Sequence, residues 1–131
     1  RLFAASLLPA ALYHRAQRAR ELLRRQMLEV LTRVDVLVCP VTAEPAPEIE
    51  EVARTFASED DVRSRIFGAR ALTTPYNLSG LPAISVPCGF TSSGLPIGLQ
   101  IGGRAFDEAT VLQVACAYEG ATGWHTRHPE I

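Results

Sequence analysis

Residues 77–90 read NLSGLPAISVPCGF, and residues 91–104 continue as TSSGLPIGLQIGGR. The two stretches are apolar, punctuated by Gly and Pro, and carry no charge before Arg104. They contain two strand candidates, AISVPCGF (83–90) and LPIGLQIGG (95–103), separated by the turn-rich TSSG. Two strands joined by four or five residues are most simply an antiparallel hairpin over 83–103. Pro87 and Pro96 have no N–H to give to a ladder, so each is expected at a strand end, an edge or a bulge. Ile84 and Val86 should fill a core. Gly80 and Pro82 shape the approach to the first strand, and Gly89 with TSSG turns the chain back.

On the C-terminal side, FDEATVLQVACAYEGA opens with Asp107 and Glu108, carries an apolar stripe of Val111, Leu112, Val114, Ala115 and Tyr118, and has Gly120 near its end. Acids in the first turn and a glycine at the close predict a helix over 107–120. The tail TGWHTRHPEI is polar and is expected to be loosely ordered.

On the N-terminal side, DVRSRIFGARAL suggests a helix over 59–72 that starts near Ser58, with Asp61 as a capping-box-like partner, and is stopped by Pro75. Before it, TAEPAPEIEEV reads as a surface connection. VDVLVCPV is short, β-branched and apolar on both faces, which predicts a buried strand over 34–39 ending at Pro40. A helix over 10–33 follows from Leu12, Ala16, Leu23, Met27, Val30 and Leu31 recurring at three-to-four spacing. Glu21 with Arg25 and Glu29 with Arg33 stand in the favourable i,i+4 order.

The 131 residues suit one domain with a sizeable core, since 47% are apolar. Thirteen basic and fourteen acidic residues nearly cancel, so there is no long-range pull toward nucleic acid or an anionic membrane surface. All thirteen basic residues are Arg. A guanidinium stays protonated, so no side chain here can serve as a lysine-type general base or Schiff-base amine. Cys39, Cys88 and Cys116 are odd in number and set in apolar sequence, which suggests reduced, buried thiols in a cytoplasmic protein. The chain starts at Arg1, with no leader and no uncharged apolar run of membrane-spanning length, so a piece of a longer protein is expected.

A search for chemistry finds three weak signals. His125 and His128 form an H-x-x-H without a third ligand nearby, so no metal is expected. Ser92 and Ser93 lack the G-x-S-x-G setting of an exposed nucleophile and fall in the hairpin loop. TTPYNLSG (73–80) places Thr73, Thr74, Tyr76 and Asn77 just before a strand. Their polar groups serve turns and caps, or form a loop lining a pocket, with Thr74, Tyr76 and Asn77 as its wall.

The ordered motifs TTPYNLSGLPAISVPCGF, GLPIGLQ and FDEATVLQVACAYE, preceded by VDVLVCPVTAEPAPEI and LPAALYHRAQRARELLRR, closely resemble the C-terminal segment of the amidase signature family. The resemblance covers essentially the whole chain. It implies the C-terminal portion of an α/β/α sandwich with a mixed β-sheet, in an enzyme acting on carboxamide C–N bonds without a cofactor. It also implies a serine nucleophile, a second serine linked through a cis peptide, and a lysine base, all upstream of this chain, so no catalytic residue can be carried onto it. The chain alone is then expected to be inactive, with the upstream part of the amidase chain as its partner and a small-molecule amide as substrate. In the A subunits of glutamyl-tRNA amidotransferases the resembling pattern has an acid five residues before the proline of PxN, where this sequence has Arg70, which favours a general amidase. The alternatives are a fragment of such an A subunit, or a non-catalytic domain that binds a partner or itself, including as a homodimer, through an exposed sheet edge.

Overall fold

The computed structural model describes residues 7–49, 58–60, 64, 68 and 70–128. Its elements are α1 (Ala10–Val30), β1 (Val36–Pro40), α2 (Thr74–Ser79), β2 (Ala83–Phe90), β3 (Pro96–Gly103) and α3 (Glu108–Ala121), followed by a 3-10 turn at Trp124–Thr126. The fold is α/β. The three strands form one sheet in the order β1-β3-β2, with β3 antiparallel to both neighbours.

The hairpin of β2 and β3 is closed by residues 91–95. Thr91 N–H donates to Leu95 O at 2.8 Å, and Leu95 N–H returns to Thr91 Oγ1 at 3.0 Å. Ser93 is occupied with this loop, its hydroxyl 2.8 Å from that of Thr91. Pro87 lies on an edge strand at a register shift, where Pro87 pairs with Gly98 and Gly89 with Ile97, leaving Cys88 as the extra residue. Pro96 opens β3. Neither proline therefore removes a bond that an inner ladder needs.

Alternation along the strands divides the side chains between two faces. Val36, Ile84, Val86, Leu99 and Ile101 pack with Val111, Val114, Ala115 and Tyr118 of α3. On the opposite face, Leu37 joins Leu31, Tyr76 and Leu81 beneath α1 and α2, with Met27, Leu28 and Ala105 against them. Helices thus cover both faces of the sheet. Each cluster is small, and among the described residues Leu31 and Ile101 are the largest fully buried side chains.

Several expectations are corrected. The strand expected at 34–39 runs over Val36–Pro40 and among the described residues pairs only with β3, with Val38 54% exposed. Of the helix expected over 59–72, the described residues Glu59, Asp60, Ser64 and Gly68 are helical and residues 70–73 form a turn, while Asp61 and the rest of the span lie outside the described residues. Pro75 does not act as a stop. It stands in the first turn of α2, where a missing N–H removes no helical bond. The first helix ends at Val30 with residues 31–33 in a turn, and Leu12 and Val30 of its apolar set are exposed. Leu112 likewise faces outward from α3. Cys116 is exposed and Cys39 and Cys88 are half-buried, so the three free thiols are not sealed in the core. The described part of the tail is anchored at Trp124 and Arg127. Trp124 packs against Phe90 with ring centroids 6.2 Å apart, and the Arg127 guanidinium lies over both rings.

Arg104 joins the C-terminal end of α1 to the end of β3. Its Nε donates to Leu31 O at 2.9 Å, and a terminal nitrogen donates to Val34 O and to Asp35 Oδ1, each at 3.0 Å. The cation thereby meets the carbonyl of the C-cap residue of α1 and a carbonyl of the connection to β1.

Candidate functional site

The segment 72–80 lies across the α1 side of the sheet. Residues 70–73 turn into α2, and three donors converge on the Arg70 carbonyl: Thr74 N–H at 2.9 Å, Thr74 Oγ1 at 2.7 Å and Thr73 Oγ1 at 3.3 Å. Gly80 ends the helix at φ +69°, a left-handed conformation that costs a residue with a Cβ, and its N–H donates to Tyr76 O at 2.9 Å. Arg20 Nε of α1 donates to Leu78 O, tying the two helices.

Tyr76 is buried, with the Cε1, Cζ and Oη side of its ring against Gly102 of β3. A Cβ at residue 102 would overlap Tyr76 Cε1, Cζ and Oη, so glycine is what permits this approach. Burial pushes the Tyr76 phenol above its ordinary pKa, and the neighbouring Cys39 thiol adds in the same direction. Thr74 is half-buried, and Asn77 is exposed with its N–H on Thr73 O at 3.2 Å.

Thr74, Tyr76 and Asn77, expected as a pocket wall, are therefore on one short helix, not on the loop that the sequence suggested. They also do not share a face. Thr74 and Asn77 are three apart and stand together, while Tyr76 turns inward to the sheet. The Thr74 hydroxyl is already committed to a backbone carbonyl.

One polar residue at this site was missed from sequence. Gln100 of β3 is 5% exposed, and its Nε2 donates to Leu72 O at 3.0 Å and to Cys39 Sγ at 3.3 Å. The available signal was a single amide within an otherwise apolar strand, since an interior amide must find partners.

His14, His125 and His128 are exposed. Among the described residues no three His, Cys, Asp or Glu side chains converge as a metal site. No described helix is long and apolar enough to cross a membrane. The groups at the α2 site can accept and donate hydrogen bonds and shape a surface. A lysine base is absent from the whole sequence.

This arrangement of hairpin, capped short helix and flanking helices is that of a known enzyme class. The amidase family profile matches residues 3–112, and the chain belongs to that family. It is 43% identical over 121 residues to the glutamyl-tRNA(Gln) amidotransferase A subunit of Roseiflexus sp. (strain RS-1), an alignment covering 92% of this chain and 23% of that protein. Among solved structures, 6-aminohexanoate cyclic dimer hydrolase is similar with a TM-score of 0.64 and 39% identity, over 73% of this chain and 21% of that one. A crystal structure described as an amidase matches with a TM-score of 0.76 and 30% identity, over 93% of this chain and 27% of that one. The chain thus spans only 21–27% of the length of these relatives, and the part it matches is C-terminal.

Proposed function

We propose that this chain is the C-terminal portion of an enzyme that hydrolyses carboxamide C–N bonds, supplying sheet strands, outer helices and one wall of the substrate pocket. The observation that carries this reading is a match over nearly the whole chain to about a quarter of an amidase-family protein, in a sequence with no lysine. The serine chemistry implied by the family resemblance needs an amine that can release and retake a proton, and a lysine does so only when its pKa is lowered by burial or neighbours. Arginine cannot substitute for it. The proton-transfer groups therefore come from the upstream portion.

Within this division of labour, Thr74 and Asn77 face the substrate, and Tyr76 supports them from below. The decisive experiment measures ammonia release from simple carboxamides by the purified 131 residues alone and together with the upstream portion. We expect turnover only from the combination; hydrolysis by the chain alone would overturn the proposal.

A second function is favoured by the 43–46% identity to glutamyl-tRNA(Gln) amidotransferase A subunits. In that case the completed protein would retain the other amidotransferase subunits in a pull-down. Arg70, standing where the resembling pattern of A subunits has an acid, favours the simple amidase, and a pull-down without those subunits would agree with it.

A further inference from the structure

The wall helix is seated on the sheet at two points, and both belong to β3. Gly102 accepts the Tyr76 ring, and two residues earlier on the same face Gln100 reaches the Leu72 carbonyl at 3.0 Å. β3 is the central strand, with Gln100 opposite Cys39 on one side and Ser85 on the other, so the backbone beneath this side chain is fixed from both directions. The amide orientation is fixed as well. Leu72 O can only accept, so the nitrogen must face it, and the Cys39 sulfur lies on the same nitrogen at 3.3 Å. Among the described residues no backbone N–H is bonded to Leu72 O. Without Gln100 this carbonyl, two residues before α2, would lose its partner, and an unmet polar group in a covered position drives the segment to shift.

We infer that Gln100 is a positioning residue for the pocket wall, acting through Leu72 to set where Thr74 and Asn77 stand; this rests on the function proposed above. Gln100→Met keeps the length and shape of the side chain and removes its N–H donor, whereas Cys39→Ala removes the other acceptor and leaves the Leu72 bond in place.

In the enzyme formed by this chain with its upstream portion, Gln100→Met should raise KM for a carboxamide about tenfold with kcat within about twofold, and Cys39→Ala should leave both within about twofold. Hydrogen exchange supplies a readout that does not depend on turnover. Amides of residues 73–80 should exchange about tenfold faster in Gln100→Met and unchanged in Cys39→Ala, with β2 and β3 unaffected in both. Should Gln100→Met fail to fold, Gln100→Leu, which likewise carries no donor toward Leu72, is measured in its place with the same expectation.

Equal exchange in parent and variant overturns the inference. So does faster exchange with unchanged KM, or a Cys39→Ala effect as large as that of Gln100→Met. Absence of carboxamide hydrolysis by the unsubstituted enzyme would instead remove the proposed function, and the exchange comparison would still decide whether Gln100 holds the segment.

Discussion

Gly102→Ala is the most demanding test of the way Tyr76 meets the sheet. The backbone conformation at Gly102 is one that alanine adopts without strain, so the whole effect is steric. The new methyl would lie inside the van der Waals envelope of Tyr76 Cε1, Cζ and Oη. Neither side can yield easily, since β3 is paired on both edges and the ring is 8% exposed. Expelling the ring altogether would forfeit the burial of about 150–200 Å² of aromatic surface, on the order of 4–5 kcal/mol at 25 cal/mol per Å². Partial accommodation of an oversized side chain costs about 1–3 kcal/mol. With both sides held, the expected loss lies at the upper end of the accommodation range, about 3 kcal/mol, which for a domain of this size lowers Tm by roughly 10 °C. Thermal unfolding followed by circular dichroism and by the fluorescence of the single tryptophan, Trp124, gives the number. Combining Gly102→Ala with Tyr76→Ala should cost less than the sum of the two single changes by at least about 1 kcal/mol, because the methyl then enters the space the ring has left. A loss under about 0.5 kcal/mol for Gly102→Ala, or strict additivity of the pair, would refute the packing described here.

Arg104→Met should lower stability by about 1–2 kcal/mol in urea titrations, since two carbonyls lose their donor, and Arg104→Lys should restore less than half because an ammonium lacks the fork that meets them together. Asp35→Asn should cost under about 0.5 kcal/mol, because that partner is largely exposed and its attraction is screened. Alkaline pH probes Tyr76. Its phenol holds its proton more tightly in the folded chain than in the unfolded one, so stability is fully present below the unfolded value near pH 10, falls as pH rises above it, and levels off past the folded value. Urea midpoints in that range should fall less steeply for Tyr76→Phe; equal slopes would show that the tyrosine is not the group responsible.

The hairpin was legible because its evidence is local. Pro87, Pro96 and the intervening TSSG restrict the backbone within a few residues, and the observed bulge and five-residue closure follow from the same restrictions. The helix at 108–121 was legible for a similar reason. What could not be read was partnership over distance. VDVLVCPV has the composition of a central strand, yet its position in the sheet depends on which strands flank it, and among the described residues only β3 does, on one side. Pro75 was equally ambiguous, because proline ends one helix and opens another with the same geometry; the turn at 70–73 decides between them. Thr74, Tyr76 and Asn77 were readable as polar groups before a strand, but their separation into two outward positions and one buried one required knowing that the segment is helical. Gln100 needed the register, which sets it opposite Cys39 and under Leu72.

The contacts of Arg104 imply an order of events during folding. This side chain reaches back 73 residues to Leu31, and the β1–β3 pairing closes a loop of comparable length. β2 and β3, by contrast, meet across five residues, and α3 follows directly. Loop closure grows more costly with the length enclosed, so the hairpin and α3 should form an early nucleus onto which β1 and the end of α1 dock late. Substitutions in β1 should then mainly accelerate unfolding, and those at the β2–β3 contact should slow refolding. The region nearest the C-terminus would serve as the template for what precedes it, the reverse of the order in which a ribosome delivers them.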